Sequence, residues 1–228
     1  AEYLSNVRKG QGQLFGGISG VSPTEVVILG AGTVGEFAAR SALGLGAAVK
    51  IFDNNTNKLR RLQALLGQRV ATSVLQPKVL EKALKSADVV IGAISSTVGR
   101  APVVVTEDMV SQMKDFSVIV DVSIDKGGCI ETSEVTSHDA PIFSKYGVIH
   151  YCVPNIASRV ARTASYALSN VITPTVLDTG ESGGLETMIK SYQGIQNGVY
   201  IYKGVLTNKY LAETFSLPYK DINLLLMA

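Results

Sequence analysis

Three glycines with a fixed spacing, Gly30, Gly32 and Gly35, follow a short apolar run and precede a segment of helical composition. In the order strand, glycine loop, helix, each glycine has a physical role. Gly30 permits the sharp turn, Gly32 lets the backbone approach a diphosphate, and Gly35 lets the helix pack closely on the sheet. Thr33 and Val34 begin the helix, whose exposed N–H groups and positive dipole end attract phosphate. The pattern predicts a dinucleotide site; a glycine-rich turn of a flavodoxin-like domain without a dinucleotide is the alternative.

An acidic residue, Asp53, ends the next apolar run, at about the twenty-residue offset where a carboxylate binds the hydroxyls of the adenosine ribose. A carboxylate at this place repels a 2′-phosphate, so the sequence favours NAD over NADP. Lys58 and Arg60 follow closely and would attract such a phosphate, which weakens the preference.

The apolar runs around these residues alternate with amphipathic segments. They predict strands at Glu25–Leu29, Ala48–Phe52, Arg69–Val74, Asp88–Ile94, Ser117–Val122 and Gly147–Val153, and helices at Val34–Leu45, Asn57–Leu66, Lys78–Lys85 and Thr106–Met113. Such alternation is typical of successive βαβ units with right-handed crossovers. We therefore expect an α/β fold: a Rossmann-type, doubly wound, mainly parallel sheet with helices on both faces and a helical C-terminal extension.

The chain divides by composition into three parts. Residues 1–20 form a glycine-rich linker that opens with a helical stretch at Ala1–Val7, residues 21–157 the dinucleotide-binding domain, and residues 158–228 a helical segment. In the last part, helices are predicted at Ala164–Leu177 and Leu185–Tyr202, with a break at Gly180–Gly184. Because the chain starts without an initiator methionine, we expect it to be processed or to lack its natural N-terminal portion.

Composition excludes several classes of function. The 228 residues carry a net charge of +2, and 46% of them are hydrophobic. This net charge is too small to suggest binding to nucleic acid or to a membrane surface. No apolar run reaches the ~18 residues that a membrane span needs, and no signal peptide is visible. These features predict a cytoplasmic protein with no nucleic-acid partner and no membrane contact.

The cysteines and histidines are too few for a disulfide framework or a metal centre. Cys129 and Cys152 lack zinc-ligand spacing, and we expect two reduced, half-buried thiols. His138 is predicted in a loop and His150 in a strand. We expect each to have a structural role, with its ring nitrogens hydrogen-bonded. No metal site is predicted.

Beyond the glycine loop, several segments make the sequence resemble alanine dehydrogenase, within the wider group that includes the nucleotide-binding part of proton-translocating transhydrogenase. The resemblance runs from about Gln11 to Leu177. The most specific marker is Ile-Asp-x-Gly-Gly-Cys at Ile124–Cys129. The others are Leu14–Val21, Ala87–Ala93, Val120–Val122, His150–Asn155 and Arg162–Leu168.

The resemblance implies reversible oxidative deamination of L-alanine to pyruvate and ammonia, with NAD as the hydride acceptor. It implies a catalytic role for Asp125 beside the nicotinamide, for which a turn-capping carboxylate is the structural alternative. It implies cofactor contacts at Thr33, Asp53 and Lys58 and along three strand ends. These further contacts are Ile94, Ser95, Val122, Asp125, Val153, Asn155 and Ile156.

Members of the family also use a lysine and a histidine of an N-terminal substrate domain, which these residues do not include. The resemblance therefore implies negligible turnover by the chain alone, contact with L-alanine or pyruvate only through that domain, and assembly as a homo-oligomer. Two other functions stay open: an NAD(H)-sensing module without catalysis, and a transhydrogenase-type nucleotide domain. Asp125 disfavours both, because neither needs an acid beside the nicotinamide. Substrate specificity is not readable from this sequence.

Overall fold

The computed structural model describes residues 1–96 and 99–227. It forms two compact units, Ala1–Ile156 and Ala157–Ala228. In the described residues, no helix is both long and apolar enough to cross a membrane.

The first unit is built on a seven-stranded sheet. Its strands are β1 (Glu25–Leu29), β2 (Ala48–Phe52), β3 (Ala71–Ser73), β4 (Val89–Gly92), β5 (Val118–Asp121), β6 (Ile142–Lys145) and β7 (Val148–Tyr151). They lie in the order β3-β2-β1-β4-β5-β7-β6, and every pair is parallel except β6 with β7. The expected doubly wound α/β sheet is confirmed, and its strand order reverses between β1 and β4, where such sheets bind ligands.

Helices cover both faces of this sheet. They are α1 (Thr33–Gly44), α2 (Thr56–Leu66), α3 (Pro77–Ser86) and α4 (Glu107–Ser111), so the four predicted helices are confirmed with shifted ends. Because successive side chains of a strand point to opposite faces, β1 serves two cores. Ile28 packs with residues of α1 and α2 such as Leu62, whereas Leu29 packs with residues of α3 such as Leu84.

Two short hairpins were missing from the sequence prediction. The β6–β7 pair turns through Tyr146 and Gly147, with φ of 54° and 73°. In the second unit, β8 (Ile201–Tyr202) and β9 (Val205–Leu206) turn through Lys203 and Gly204, with φ of 48° and 82°. Two-residue hairpin loops of type I′ need positive φ at both positions, and neither Tyr-Gly nor Lys-Gly is the usual Asn-Gly signal.

The helical predictions for the second unit were partly wrong. The first helix, α5 (Ala161–Glu181), is longer than predicted and continues through Pro174. The predicted helix at Leu185–Tyr202 is instead α6 (Leu185–Ser191), α7 (Gln193–Asn197) and strand β8, because Tyr192 takes an extended conformation that interrupts the helix. Two further helices follow, α8 (Lys209–Phe215) and α9 (Ile222–Leu226).

The predicted helix at Ala1–Val7 is also wrong. The segment forms two single-turn 3₁₀ helices, Glu2–Leu4 and Asn6–Arg8, separated by the extended residue Ser5. Leu4 is buried in the core beside α1 and α2.

Candidate functional site

The glycine loop joins β1 to α1 at the carboxyl edge of the sheet. Gly30 has a φ of 109°, and a Cβ added there would collide with the Ala93 carbonyl oxygen. A Cβ at Gly35 would collide with the Gly30 carbonyl oxygen. Both glycines are therefore required by the fold itself, since they let α1 and β4 approach the loop closely.

Gly32 differs from its two neighbours. It is the N-terminal capping residue of α1, its φ is −79°, and no side chain caps the helix there. A Cβ built on Gly32 meets no atom of residues 1–96 or 99–227 within 4 Å. The fold itself does not require a glycine at this position. A glycine would be required if an external group approached the first N–H groups of the helix. Thr33 and Val34, which follow, are exposed.

Asp53 is tied to this loop. Its Oδ2 accepts a hydrogen bond from the Ala31 N–H at 2.8 Å, and its Oδ1 accepts from the Asn55 N–H at 2.7 Å. Asn55 in turn caps α2 by accepting from the N–H groups of Asn57 and Lys58. The carboxylate therefore stands beside the glycine loop, with lone pairs left for a further donor.

A second set of contacts joins the ends of β4 and β5. Ser123 donates from its hydroxyl to the Ile94 carbonyl at 2.8 Å, and Lys126 donates from Nζ to the Ser95 hydroxyl at 3.2 Å and the Ser96 carbonyl at 2.8 Å. Ser123 and Lys126 belong to the 3₁₀ helix Val122–Lys126 that follows β5. This helix is thus fastened to the β4 loop along the edge where the glycine loop lies.

Asp125 lies exposed on the same 3₁₀ helix and reaches the end of β7. Its Oδ1 accepts a hydrogen bond from the Asn155 N–H at 2.8 Å. Asn155 has a φ of 50°, in the left-handed region, which Asn tolerates better than most residues. The structure therefore brings together Asp125 and Asn155, two residues that the resemblance implies as cofactor contacts, and shows that the carboxylate also fixes a turn.

Asp121, the last residue of β5, holds the backbone of this region in place and was not singled out from the sequence. Its side chain is 1% exposed. It accepts hydrogen bonds from the Ser123 N–H at 3.0 Å, the Cys129 N–H at 3.0 Å and the Ser133 hydroxyl at 2.7 Å. The signal in the sequence was an acid ending an otherwise apolar strand, because a carboxylate is buried only where donors surround it.

The remaining predicted cofactor contacts are placed unequally. Val122 and Ile156 are half-buried at strand ends, and Val153 is fully buried, which leaves it only its backbone for a ligand. Lys58 is exposed in the first turn of α2. In the described part of the chain, no hydrogen bond or ion pair joins its side chain to the glycine loop.

The two thiols are buried rather than half-buried. Burial raises the pKa of Cys129 to about 12 and that of Cys152 to about 11. Both are therefore protonated and unreactive at neutral pH, because the thiolate is the nucleophile. No group of three or more potential metal ligands occurs among the residues that the structure describes.

His150 is satisfied within the core. Its ring is fully buried, stacks on Phe143 with 4.8 Å between ring centroids, and lies within hydrogen-bond distance of the Thr132 hydroxyl and the Val148 carbonyl. Because a carbonyl only accepts, Nδ1 carries the proton and the Thr132 hydroxyl donates to Nε2. Burial lowers the pKa of His150, so the imidazole is neutral.

Comparison with known proteins agrees with this arrangement. The family model "Alanine dehydrogenase/PNT, C-terminal domain" matches residues 1–209. Alanine dehydrogenase 2 of Staphylococcus aureus strain USA300 is 44% identical over 223 residues, which are 97% of this chain and 60% of that protein.

Solved structures give the same result. An L-alanine dehydrogenase superposes with a TM-score of 0.87 at 40% identity, over 95% of this chain and 59% of the other. A transhydrogenase from Sinorhizobium meliloti superposes with a TM-score of 0.69 over 91% of this chain and 58% of the other; at 22% identity it shows a shared fold.

The chain spans 60% of the length of the curated relatives described above. The family match covers most of these residues, including every strand of the seven-stranded sheet. From the sequence match and the fold together, this chain is a member of the alanine dehydrogenase/PNT C-terminal domain family.

Proposed function

We propose that this chain binds NAD(H) across the carboxyl edge of its sheet and forms the cofactor half of an L-alanine dehydrogenase. The observation that carries the proposal is Gly32, a glycine at a helix N-terminus where a Cβ would touch no atom of the described residues. In the proposed complex the diphosphate lies against the first N–H groups of α1, and Asp53 accepts hydrogen bonds from the adenosine ribose.

The residues after β4, β5 and β7 would hold the nicotinamide end. Ile94 and Ser95 line one side, and Asp125 with Asn155 lines another, so the acid lies where it can contact the ring or the reacting substrate. Bound NAD supplies the hydride acceptor. The fastening of the Val122–Lys126 helix to the β4 loop by Ser123 and Lys126 keeps Asp125 at a fixed place on this edge.

The substrate half belongs to the part of the relatives that this chain does not span. We therefore assign L-alanine and pyruvate to a cleft completed by that part. We assign residues 1–20 to the connection and residues 158–228 to contact with it. Helix α5 supports this division, because its apolar side chains, among them Leu168, Val171 and Ile172, are exposed. Assembly into a homo-oligomer and a cytoplasmic location, where NAD-linked amino-acid metabolism runs, complete the proposal.

To test the proposal, the chain is titrated with NADH, and binding is measured by the change in fluorescence of the nucleotide. Gly32→Val places a branched side chain over the phosphate position, and we expect affinity to fall about tenfold or more, equivalent to ~1.4 kcal/mol. The matched control is Gly44→Val, since a Cβ at Gly44, in the last turn of the same helix, also meets open space. Equal affinity of the two variants would refute the phosphate site.

A second measurement addresses catalysis. With alanine and NAD the 228-residue chain by itself is expected to show negligible turnover, because one wall of the substrate cleft lies in the other part of the relatives. Turnover comparable to that of a full-length relative would contradict this division of labour. NADH binding by a full-length protein that shows no turnover with alanine would instead favour a sensing module.

A further inference from the structure

A cavity of about 660 Å³ lies at the opposite edge of the sheet from the glycine loop. It begins at Glu25 and Ala48, the first residues of β1 and β2, whereas Gly30 and Asp53 follow the last ones. Its floor is the row of paired strand residues Val27, Lys50 and Ala71. Its volume is within the range of small-molecule sites.

One side of helix α3 forms the wall of this cavity. Lys78, Val79, Lys82 and Ala83 line it, and their spacing of three to four residues places them on a single face. Ala83 is buried in the core, whereas Lys78 and Lys82 are exposed. Two lysines thus stand at the rim of a recess with an apolar interior.

A third lysine lies inside the recess. Lys50 is the central residue of β2, a strand with a neighbour on either side, and such strands in parallel sheets are usually apolar on both faces. Its side chain is half-buried, and its Nζ lies 5.1 Å from the centroid of the Phe52 ring. Lys50 thus contacts an aromatic ring and supplies positive charge to the floor.

The charges of the three lysines are not neutralised by the protein. Among the residues that the structure describes, none of the three forms an ion pair, whereas Lys85 on the same helix pairs with Glu81 at 2.7 Å. Glu25 is the acid lining the cavity, so three positive charges face one negative charge. The N-terminus of α3, near Lys78, adds to the positive potential.

We propose that this cavity, lined by Lys50, Lys78 and Lys82, is a second binding site for a small organic anion with an apolar body. The apolar walls would bury the body of the ligand, and the lysines would bind its carboxylate, sulfonate or phosphate group. The site is independent of the proposed NAD(H) function, because it uses the other edge of the sheet and shares no residue with the glycine loop.

The probe is 8-anilinonaphthalene-1-sulfonate, whose fluorescence rises on transfer to an apolar site. The double variant Lys78→Gln/Lys82→Gln is expected to weaken saturable binding about fivefold, as the loss of two exposed charge contacts allows. Lys85→Gln is the control, because it removes one positive charge from the same helix outside the cavity. Added salt should weaken binding to the native chain, since the attraction is screened.

Shape is tested separately from charge. Ala71→Phe places a ring on the exposed floor of the cavity beside Lys50 and removes no charge, and it should abolish the saturable component. NADH at saturation should not displace the probe. The proposal is overturned if the native chain shows no saturable binding of the probe. It is also overturned if the double variant and the Lys85 control bind the probe equally well, or if NADH displaces the probe. Since NADH affinity is measured in the same samples, failure here is distinguishable from failure of the nucleotide site.

Discussion

At the carboxyl edge of the sheet, some residues stabilise the fold and others are exposed where a ligand could contact them. Asp53 does both, because it holds the Ala31 N–H and also stands beside the loop that would carry the diphosphate. Its charge, rather than its hydrogen bond to Ala31, is what should separate NADH from NADPH. An asparagine at this position keeps one oxygen for the Ala31 N–H and removes the charge.

We therefore predict that Asp53→Asn weakens NADH binding about tenfold while NADPH binding stays level or improves, because the repulsion of a 2′-phosphate is lost. Parallel titrations with the two nucleotides measure the ratio of affinities. Asp139→Asn, at an exposed loop residue, is the control. An unchanged ratio would show that Asp53 has only a structural role.

Asp121 is expected to behave in the opposite way, as a residue of the fold. Asp121→Asn turns one acceptor oxygen into a donor, which then faces either the Ser123 N–H or the Cys129 N–H and the Ser133 hydroxyl, so the free energy of unfolding should fall by about 1–3 kcal/mol. Urea unfolding followed by circular dichroism measures the loss. Asp125→Asn is exposed and should change stability by less than ~1 kcal/mol. Similar effects of the two substitutions would contradict the assignment of roles.

At the scale of the elements, the packing of α1 on the sheet depends on Gly35. We predict that Gly35→Ala lowers the free energy of unfolding by about 1–3 kcal/mol, because the added Cβ collides with the Gly30 carbonyl and the helix has to move away from β1. Gly32→Ala, three residues earlier, should leave stability within ~0.5 kcal/mol of the native chain. A thermal unfolding series on both variants distinguishes the two glycines.

His150 on strand β7 should make the stability of the fold depend on pH. Because burial holds the pKa of this histidine below its ordinary value of 6.5, the unfolded chain binds more protons than the folded one just below that pH. The stability due to the neutral imidazole is complete above pH 6.5 and is lost as the pH falls through 6.5 toward the folded-state pKa. Urea midpoints should fall over this window in the native chain and less steeply in His150→Gln. Equal slopes would refute the assignment.

The parallel core of the fold was readable from the sequence, because buried strands such as Val26–Leu29 are continuous apolar runs and the glycine loop marks the first crossover. The hairpins were not readable, since Tyr146 and Lys203 adopt positive φ without being typical of it. At the site, the glycine loop was recognisable by residue type and spacing, whereas Asp125 was predicted from the family resemblance. The contacts of Asp121 and Lys126 were not predicted, because they depend on how the segment after β5 folds back around Asp121 and onto the loop after β4.

For the whole molecule, the exposed apolar surface of α5 should determine whether the chain self-associates. Leu168 is 60% and Val171 is 71% exposed, and Ile172 follows directly, so a row of apolar side chains runs along the helix. Surfaces of this kind associate in water. We predict that the purified chain forms oligomers whose proportion rises with concentration, and that Leu168→Ser/Ile172→Ser reduces it.

Light scattering after gel filtration measures the mass, and NADH titration of the double variant provides the control. The substitutions are remote in sequence from the glycine loop and should leave the affinity for NADH within about twofold. A monomer at all concentrations would contradict the prediction for the native chain.

Position 32 offers a way to separate two kinds of selection. A library of substitutions at this position, sorted only for expression and solubility, should accept many residues, since nothing in the described protein obstructs a side chain there. The same library sorted on immobilised nucleotide should return almost only glycine. Positions 30 and 35 should return glycine from either sort, so a comparison of the two outcomes would tell apart the glycines kept for folding and the glycine kept for a ligand.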